Sequence, residues 1–313
     1  MADAKFAIDL ITFFDPGYWG TTTTDEVVAL GAANPRPFWD RMLDALSGLG
    51  IAGIETTFAP FDWETAIDAY GSIERLTGEL RCRGLSIATG FFANVAIDGH
   101  IPQSDAEAAH FEYAERFADF LASTGVDVMV MGLPMRASWD TRPPLVIDLT
   151  YASRLADFCN RLGAKLLERG VQLALHPEAH SVFSTPRDID LLLLLTDPIY
   201  VGFCPDTAHI LLSGGDPVEV VARHQDRVIA THWKDAIGPA PLRITIDADV
   251  HVSHRRYFTS IGSGRVDWSR WTRLLEQKGF DGWSVLEIDA VPDPVREIAS
   301  SMRYIRSLQP TMQ

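Results

Sequence analysis

Eight side chains able to bind metal or move protons end four short apolar runs in the second half of the chain. LALHPEAH carries His176 and Glu178, CPDTAH carries Asp206 and His209, ATHWKD carries His232 and Lys234, and VLEID carries Glu287 and Asp289. Imidazole nitrogens and carboxylate oxygens are ligands for divalent ions, and the same groups accept and return protons. Residues two apart in an extended chain share a face. His176 and Glu178 therefore face together if the strand persists through Pro177. His232 and Lys234 share a face with Trp233 opposite, and Glu287 and Asp289 share another. Taken singly, a histidine after a strand is more often a hydrogen-bonded structural residue, and a strand-end Asp or Glu more often caps the next helix. Recurrence changes that balance, because parallel strands of one barrel would bring all four groups to a single rim.

The segments that must position these groups alternate between strand-like and helix-like patterns along the whole chain. Buried-strand candidates are residues 6–12, 50–57, 85–92, 126–132, 171–176, 200–204, 227–232 and 283–289. Between them, Phe38, Met42, Leu46 and Leu49 recur at helical spacing after Pro37, residues 63–82 read as one helix, and residues 105–124 place Phe117 and Leu121 on one face. Further helices carry Leu155, Phe158, Leu162 and Leu166, begin at Thr185 and Pro186, lie near 216–225, follow a cap at Asp267, and close the chain near 294–307. Eight such units predict a (β/α)8 TIM barrel occupying residues 1–313 as a single domain. Residues 236–260 lack periodicity and contain Pro239, Pro241, His251, His254 and Arg256. They read as a long loop over the active rim.

Composition narrows the partners. The 27 Lys and Arg against 42 Asp and Glu leave a formal charge of −15, which opposes nonspecific attraction to nucleic acid or an anionic membrane. No run is long enough to span a bilayer. Cys82, Cys159 and Cys204 lack metal-ligand or redox spacing and read as free thiols in a reducing, cytoplasmic setting. A small-molecule substrate is the expectation.

The elements H-P-E, C-P-D-T-A-H, T-H-W-K-D, G-S-G-R-V-D-W and D-G-W-S-V-L-E resemble the xylose isomerase-like barrel family of sugar isomerases, ketose 3-epimerases, inosose dehydratases and endonuclease IV. The inosose dehydratase-like branch is the nearer resemblance. Its pattern is met by Asp206 to His209, Gly215 to Pro217, Asp226 with Arg227, and His232 to Asp235. The likeness covers the C-terminal half; the N-terminal half agrees only in the rhythm of its elements.

Carried over residue by residue, the resemblance implies a metal site at His176, Asp206, His232 and Glu287. Many members have Glu where His176 stands, so two arrangements stay open: Glu178 free as an acid or base, which the spacing to the next helix favours, or Glu178 itself a ligand. The ion implied is Mn²⁺ first, with Co²⁺, Mg²⁺ or Zn²⁺ as alternatives. The chemistry is removal of a proton next to a carbonyl, ending in isomerisation, epimerisation or elimination. Glu178 is the candidate base, close to neutral in pKa, with His209 as proton donor and Lys234 polarising an oxygen or pairing with Asp235 or Glu178.

Glu55 is a candidate substrate contact or a brace of the barrel floor, and Phe14 and Trp19 are candidate substrate contacts, with Tyr18, Phe91 and Phe92 as further aromatics and Arg256, His251 or His254 reaching in from the long loop. The implied partners are a sugar or cyclitol and a second copy of the chain. A second subunit enters if the reaction is cleavage of a 3-keto glycoside. A nuclease would need three metals and a basic groove, and a non-catalytic sugar-binding or partner subunit would need no ion.

Overall fold

The computed structural model describes residues 5–103, 105–136, 145–241, 243–247 and 249–308. Its strands, in chain order, are β1 (Lys5–Asp9), β2 (Gly53–Thr56), β3 (Ser86–Phe92), β4 (Val128–Gly132), β5 (Gln172–His176), β6 (Val201–Phe203), β7 (Thr231–Trp233), β8 (Asp235–Ala236), β9 (Phe258–Thr259) and β10 (Trp283–Leu286). Eight of them form one parallel sheet in the order β6-β5-β4-β3-β2-β1-β10-β7. The seam between β6 and β7 is joined by amide–carbonyl bonds from Ile229 to Phe203 (3.1 Å) and from His232 to Pro205 (2.9 Å). The sheet thus curls back on itself, with helices in the connections, giving the (β/α)8 architecture.

Side-chain alternation separates two kinds of interior. Leu173, Leu175, Met129, Met131 and Trp233 belong to the large core packed against the helices. Ala174, Cys204, Ala230, Val128 and Val130 form a separate small cluster, and Ala7, Ala88 and Val285 form another. Because strand residues two apart share a face, His176 follows Ala174, His232 follows Ala230, Glu287 follows Val285 and Asp9 follows Ala7. Small apolar side chains fill the body of the barrel, and polar ones end it.

Several segments differ from the sequence reading: residues 10–12 leave the first strand in a 3-10 helix, Leu10–Phe13, capped by the Asp9 side chain, and the first connection holds a further helix, Thr24–Ala33. Residues 63–82 are two helices, Trp63–Tyr70 and Ile73–Cys82. Gly71 ends the first in the left-handed region (φ 81°), and the Ser72 side chain caps the second by accepting from the Arg75 amide. The segment 236–260 carries a short helix, Val250–Arg255, and returns through the antiparallel pair β8–β9.

The return is anchored by Asp235. Its carboxylate accepts from the amides of Gly262, Gly264 and Val266 and from the indole of Trp268. Gly264 is required there, since a Cβ would fall 2.1 Å from the Asp235 carboxylate. Trp233 stacks on Trp268 from the same strand end, which explains the G-S-G-R-V-D-W run as a structural clamp. All three cysteines are unpaired, and among the described residues no helix is long and apolar enough to cross a membrane.

Candidate metal and proton-transfer site

The strand ends bring His176, Asp206, His232 and Glu287 together, with one ligand atom from each lying within 4.8 Å of the others. Nε2 of His176 is 3.7 Å from Asp206 Oδ2 and 4.0 Å from Glu287 Oε2, and Nδ1 of His232 is 2.9 Å from the same Glu287 oxygen. Asp206 divides its carboxylate. Oδ1 accepts from the His209 amide at 2.7 Å and caps helix Thr207–Leu212, while Oδ2 is turned into the cluster. One residue therefore both caps the helix and turns an unpartnered oxygen into the cluster.

The group shows the marks of a cation site. Both ring nitrogens of His176 and Oδ2 of Asp206 are buried without a hydrogen-bond partner, a costly state for polar atoms in a protein interior. Two imidazoles and two carboxylates with free lone pairs suit a divalent ion. Behind them, Glu55 accepts from Thr89 at 2.7 Å, and its other oxygen lies 2.9 Å from His232 Nε2 without the alignment of a hydrogen bond. Glu55 thus lies against His232 from below and does not line the cavity, which favours the bracing role over the substrate contact.

Above the strand ends lies a cavity of about 280 Å³. Glu178, His209 and Lys234 line it together. Nε2 of His209 is 3.3 Å from Glu178 Oε2 and 3.3 Å from Lys234 Nζ. The Ala179 amide donates to His209 Nδ1 at 3.1 Å. Nδ1 is therefore an acceptor, and neutral His209 carries its proton on Nε2, which lies between Glu178 and Lys234 without the alignment of a hydrogen bond to the carboxylate.

Lys234 pairs with Glu287, not with Asp235 or Glu178 as weighed from the sequence. Asp235 is occupied by the glycine loop, and Glu178 by the histidines. Burial disfavours the charge on Lys234, but Glu287, Asp289, Asp206 and Glu178 outweigh it and raise its pKa, so it remains a cation. Burial also pushes the His209 imidazole down, against the pull of Glu178.

For Glu178, burial acts upward, yet His209, His251 and Lys234 overcome it and hold the carboxyl far below the usual range. The sequence-based expectation of a carboxyl near neutral pH is corrected on this point: burial alone would produce it, but the surrounding basic groups reverse the sign.

The other expected contacts divide. Phe14 and Phe91 line the cavity. Trp19 does not: it is stacked on Phe38 at 3.8 Å and donates its indole N–H to the Phe13 carbonyl, which places it in the core. Tyr18 lies half-buried beneath Arg41, and Phe92 is buried against Tyr113. Arg256 also misses the cavity and sits over the Tyr257 ring, whereas its neighbour Arg255 lines the wall.

His251, His254 and Phe258 come from the segment over the rim, and Phe258 covers Lys234 at 4.0 Å. Sequence reasoning gives Asp289 a place at the strand end but no role and passes over Asp9, although both line the cavity. Burial raises both pKa values, and Glu55 and Glu287 add to the effect on Asp9. The available signal was an acidic residue ending an otherwise apolar run.

A family model describing the xylose isomerase-like TIM barrel matches residues 43–308. Inosose dehydratase of Lacticaseibacillus casei is 29% identical over 249 residues, covering 74% of this chain and 79% of the relative. That of Bacillus velezensis is 27% identical over 304 residues, covering 90% and 92%. Among solved structures, the IOLI protein with a binding zinc atom has a TM-score of 0.69 at 12% identity, covering 97% of both chains. The 3-keto-D-glucoside 4-epimerase from E. coli has a TM-score of 0.67 at 16% identity, covering 97% of this chain and 99% of that one.

Proposed function

The chain belongs to the xylose isomerase-like TIM-barrel family, and from that premise we propose that it is a divalent-metal-dependent dehydratase of an inosose-type keto-cyclitol. The relatives named inosose dehydratase support the substrate class. The observation that carries the reaction type is the pairing of Glu178 with His209. An acceptor-only carboxylate and an imidazole with its proton on Nε2 stand 3.3 Å apart. Elimination on one face needs one group to take a proton and another to give one, and these two stand side by side. Epimerisation needs an acceptor on each face of the carbon.

His176, Asp206, His232 and Glu287 would hold the ion. Bound there, a divalent ion supplies Lewis-acid polarisation of a carbonyl. Glu178, ionised throughout the working pH range, takes the proton from the carbon beside that carbonyl, while His209 Nε2 gives its proton to the departing hydroxyl and recovers one from the Glu178 carboxyl 3.3 Å away, so that water leaves and both groups end as they began. Lys234, kept cationic and held by Glu287, provides fixed positive charge where an oxygen gains electron density. Phe258 over Lys234 restricts water.

A second reading has one observation in its favour. The cavity wall formed by Phe14, Phe58, Phe91 and Ile97 is apolar, and it would seat the aglycone of a 3-keto glycoside leaving by the same elimination. The test is a substrate panel of inososes, ketoses and 3-keto glycosides with Mn²⁺-reconstituted protein in D₂O. Loss of water from an inosose is expected. Solvent deuterium entering a ketose without loss of water would replace the dehydratase with an isomerase or epimerase, and aglycone release would establish the glycoside reading.

A further inference from the structure

Glu178 and the helix Val250–Arg255 form a second set of ligand atoms, apart from the four at the strand ends. Oε1 of Glu178 lies 3.7 Å from Nδ1 of His251 and 3.9 Å from Nδ1 of His254. The hydrogen-bond chain behind His254 determines which of its nitrogens is free. The Pro241 carbonyl can only accept, so Nε2 of His180, 3.1 Å away, carries a proton. Burial disfavours a charge on either ring, so Nδ1 of His180 is an acceptor and Nε2 of His254, at 2.8 Å, donates to it. His254 is left with a lone pair on Nδ1, buried and without a hydrogen-bond partner. It faces a carboxylate oxygen.

That gap is too wide for a hydrogen bond, and two facing lone pairs repel. A bare cation with bonds of about 2.0–2.2 Å to nitrogen and oxygen bridges it. The separations of 3.7 and 3.9 Å are also those of the strand-end set, where His176 stands 3.7 and 4.0 Å from its carboxylate neighbours. We propose that Glu178, His251 and His254 form a second divalent-cation site at the mouth of the barrel, with His180 as the residue that positions His254. Two imidazoles and one carboxylate select a borderline ion such as Zn²⁺ over Mg²⁺, which prefers oxygen ligands. Resting on the reading of Glu178 as the base, occupancy of this site withdraws that base, so zinc beyond the first equivalent inhibits.

The test is calorimetric titration of chelator-stripped, full-length protein with Zn²⁺. Wild type takes up two equivalents, and Asp206→Ala retains one. His251→Ala alters a side chain that is 62% exposed, so the fold is kept while the mouth site weakens by about tenfold or more. His180→Leu touches no ion but frees the tautomer of His254, and weakens the same site by about 10–100-fold. A single equivalent in wild type would overturn the proposal, as would a second equivalent that neither His251→Ala nor His180→Leu weakens. The mouth site is judged by these two variants whether or not Asp206→Ala loses its own equivalent, so the two sites fail separately.

Discussion

The cavity has two unlike halves, and the division follows the chain. Elements before residue 100 contribute Ile11, Phe14, Phe58, Phe91 and Ile97, with Asp9 as their charged exception, while those after residue 170 contribute His176, Glu178, His209, Lys234, His254 and Glu287, with Phe258 as the apolar one. Phe14 meets Phe58 and Phe61 edge-on at 5.3 and 5.8 Å, making a small aromatic wall. Phe91 forms the junction, with its ring edge-on to His176 at 5.3 Å. Groups that could bind a ring without altering its reactivity are thus largely segregated from those able to move protons. If that segregation is functional, variants in the polar half change kcat and those in the apolar half change KM.

The largest effect is expected at Asp206. Asp206→Asn keeps an oxygen to cap helix Thr207–Leu212 through the His209 amide, but loses the charge facing His176. Metal content should fall below stoichiometry, and turnover should fall on the order of 10³-fold or more, the several kcal/mol that a Lewis acid contributes. Elemental analysis and steady-state rates check this, and thermal stability should change little because the cap is retained. Next is Glu178→Gln, which removes the proposed base from the mouth and leaves all four strand-end side chains unaltered. It should keep its strand-end metal and bind substrate while losing about a hundredfold or more in kcat. Loss of that metal would instead make Glu178 its ligand.

The C-terminal half was the more legible because its signals are local. His176, Asp206, His232 and Glu287 each end a strand whose apolar run is visible in the sequence, and barrel geometry brings such ends together whatever lies between. Trp19, Arg256 and the ion-pair partner of Lys234 are not readable from the sequence for the opposite reason. Their side-chain directions are set by distant partners: Phe38 and the Phe13 carbonyl, Tyr257, and Glu287. Residue type alone cannot give a direction. The break at Gly71 escaped because Tyr70 and Ile73 continue the helical spacing across it, although the Gly–Ser pair holds both a stop and a cap. The pKa of Glu178 was misjudged because two of its three basic neighbours, His209 and Lys234, arrive from other strands and His251 arrives from the rim segment.

A third prediction sharpens the contrast through pH. Burial pushes His254 down to about 3, whereas an unfolded histidine titrates near 6.5. Between these values the unfolded chain holds a proton that the folded chain does not, so stability falls as pH drops from about 6.5 toward 3. In chelator-treated protein, His254→Phe should remove this part of the pH slope, a difference on the order of 2 kcal/mol between pH 7 and pH 4, within the ceiling set by 1.36 kcal/mol per unit. Denaturant midpoints at the two pH values measure it. An unchanged slope would mean that His254 charges without cost and that the polar half is wetter than its burial implies.

The smallest expected effect lies in the apolar half, at Ile97. Its side chain is 70% exposed, yet it lines the cavity, so the area that a bound ring would cover is not already spent on the core. Full burial of such a side chain stabilises by about 1.5–3 kcal/mol. Partial cover by a ligand then gives on the order of 1 kcal/mol, or about fivefold in affinity. Ile97→Ala retains the helix Asn94–Asp98 and should raise KM by about that factor while leaving kcat unchanged, because contact with a non-reacting face is equal in the ground and transition states. An equal fall in kcat would break the comparison between the halves, since the wall would then be orienting the reacting carbon toward Glu178. The size of the KM effect across the substrate panel separates the two functional readings. An aglycone lying on Phe14, Phe58 and Ile97 should lose more than a bare cyclitol, whose hydroxyls leave little apolar surface to cover.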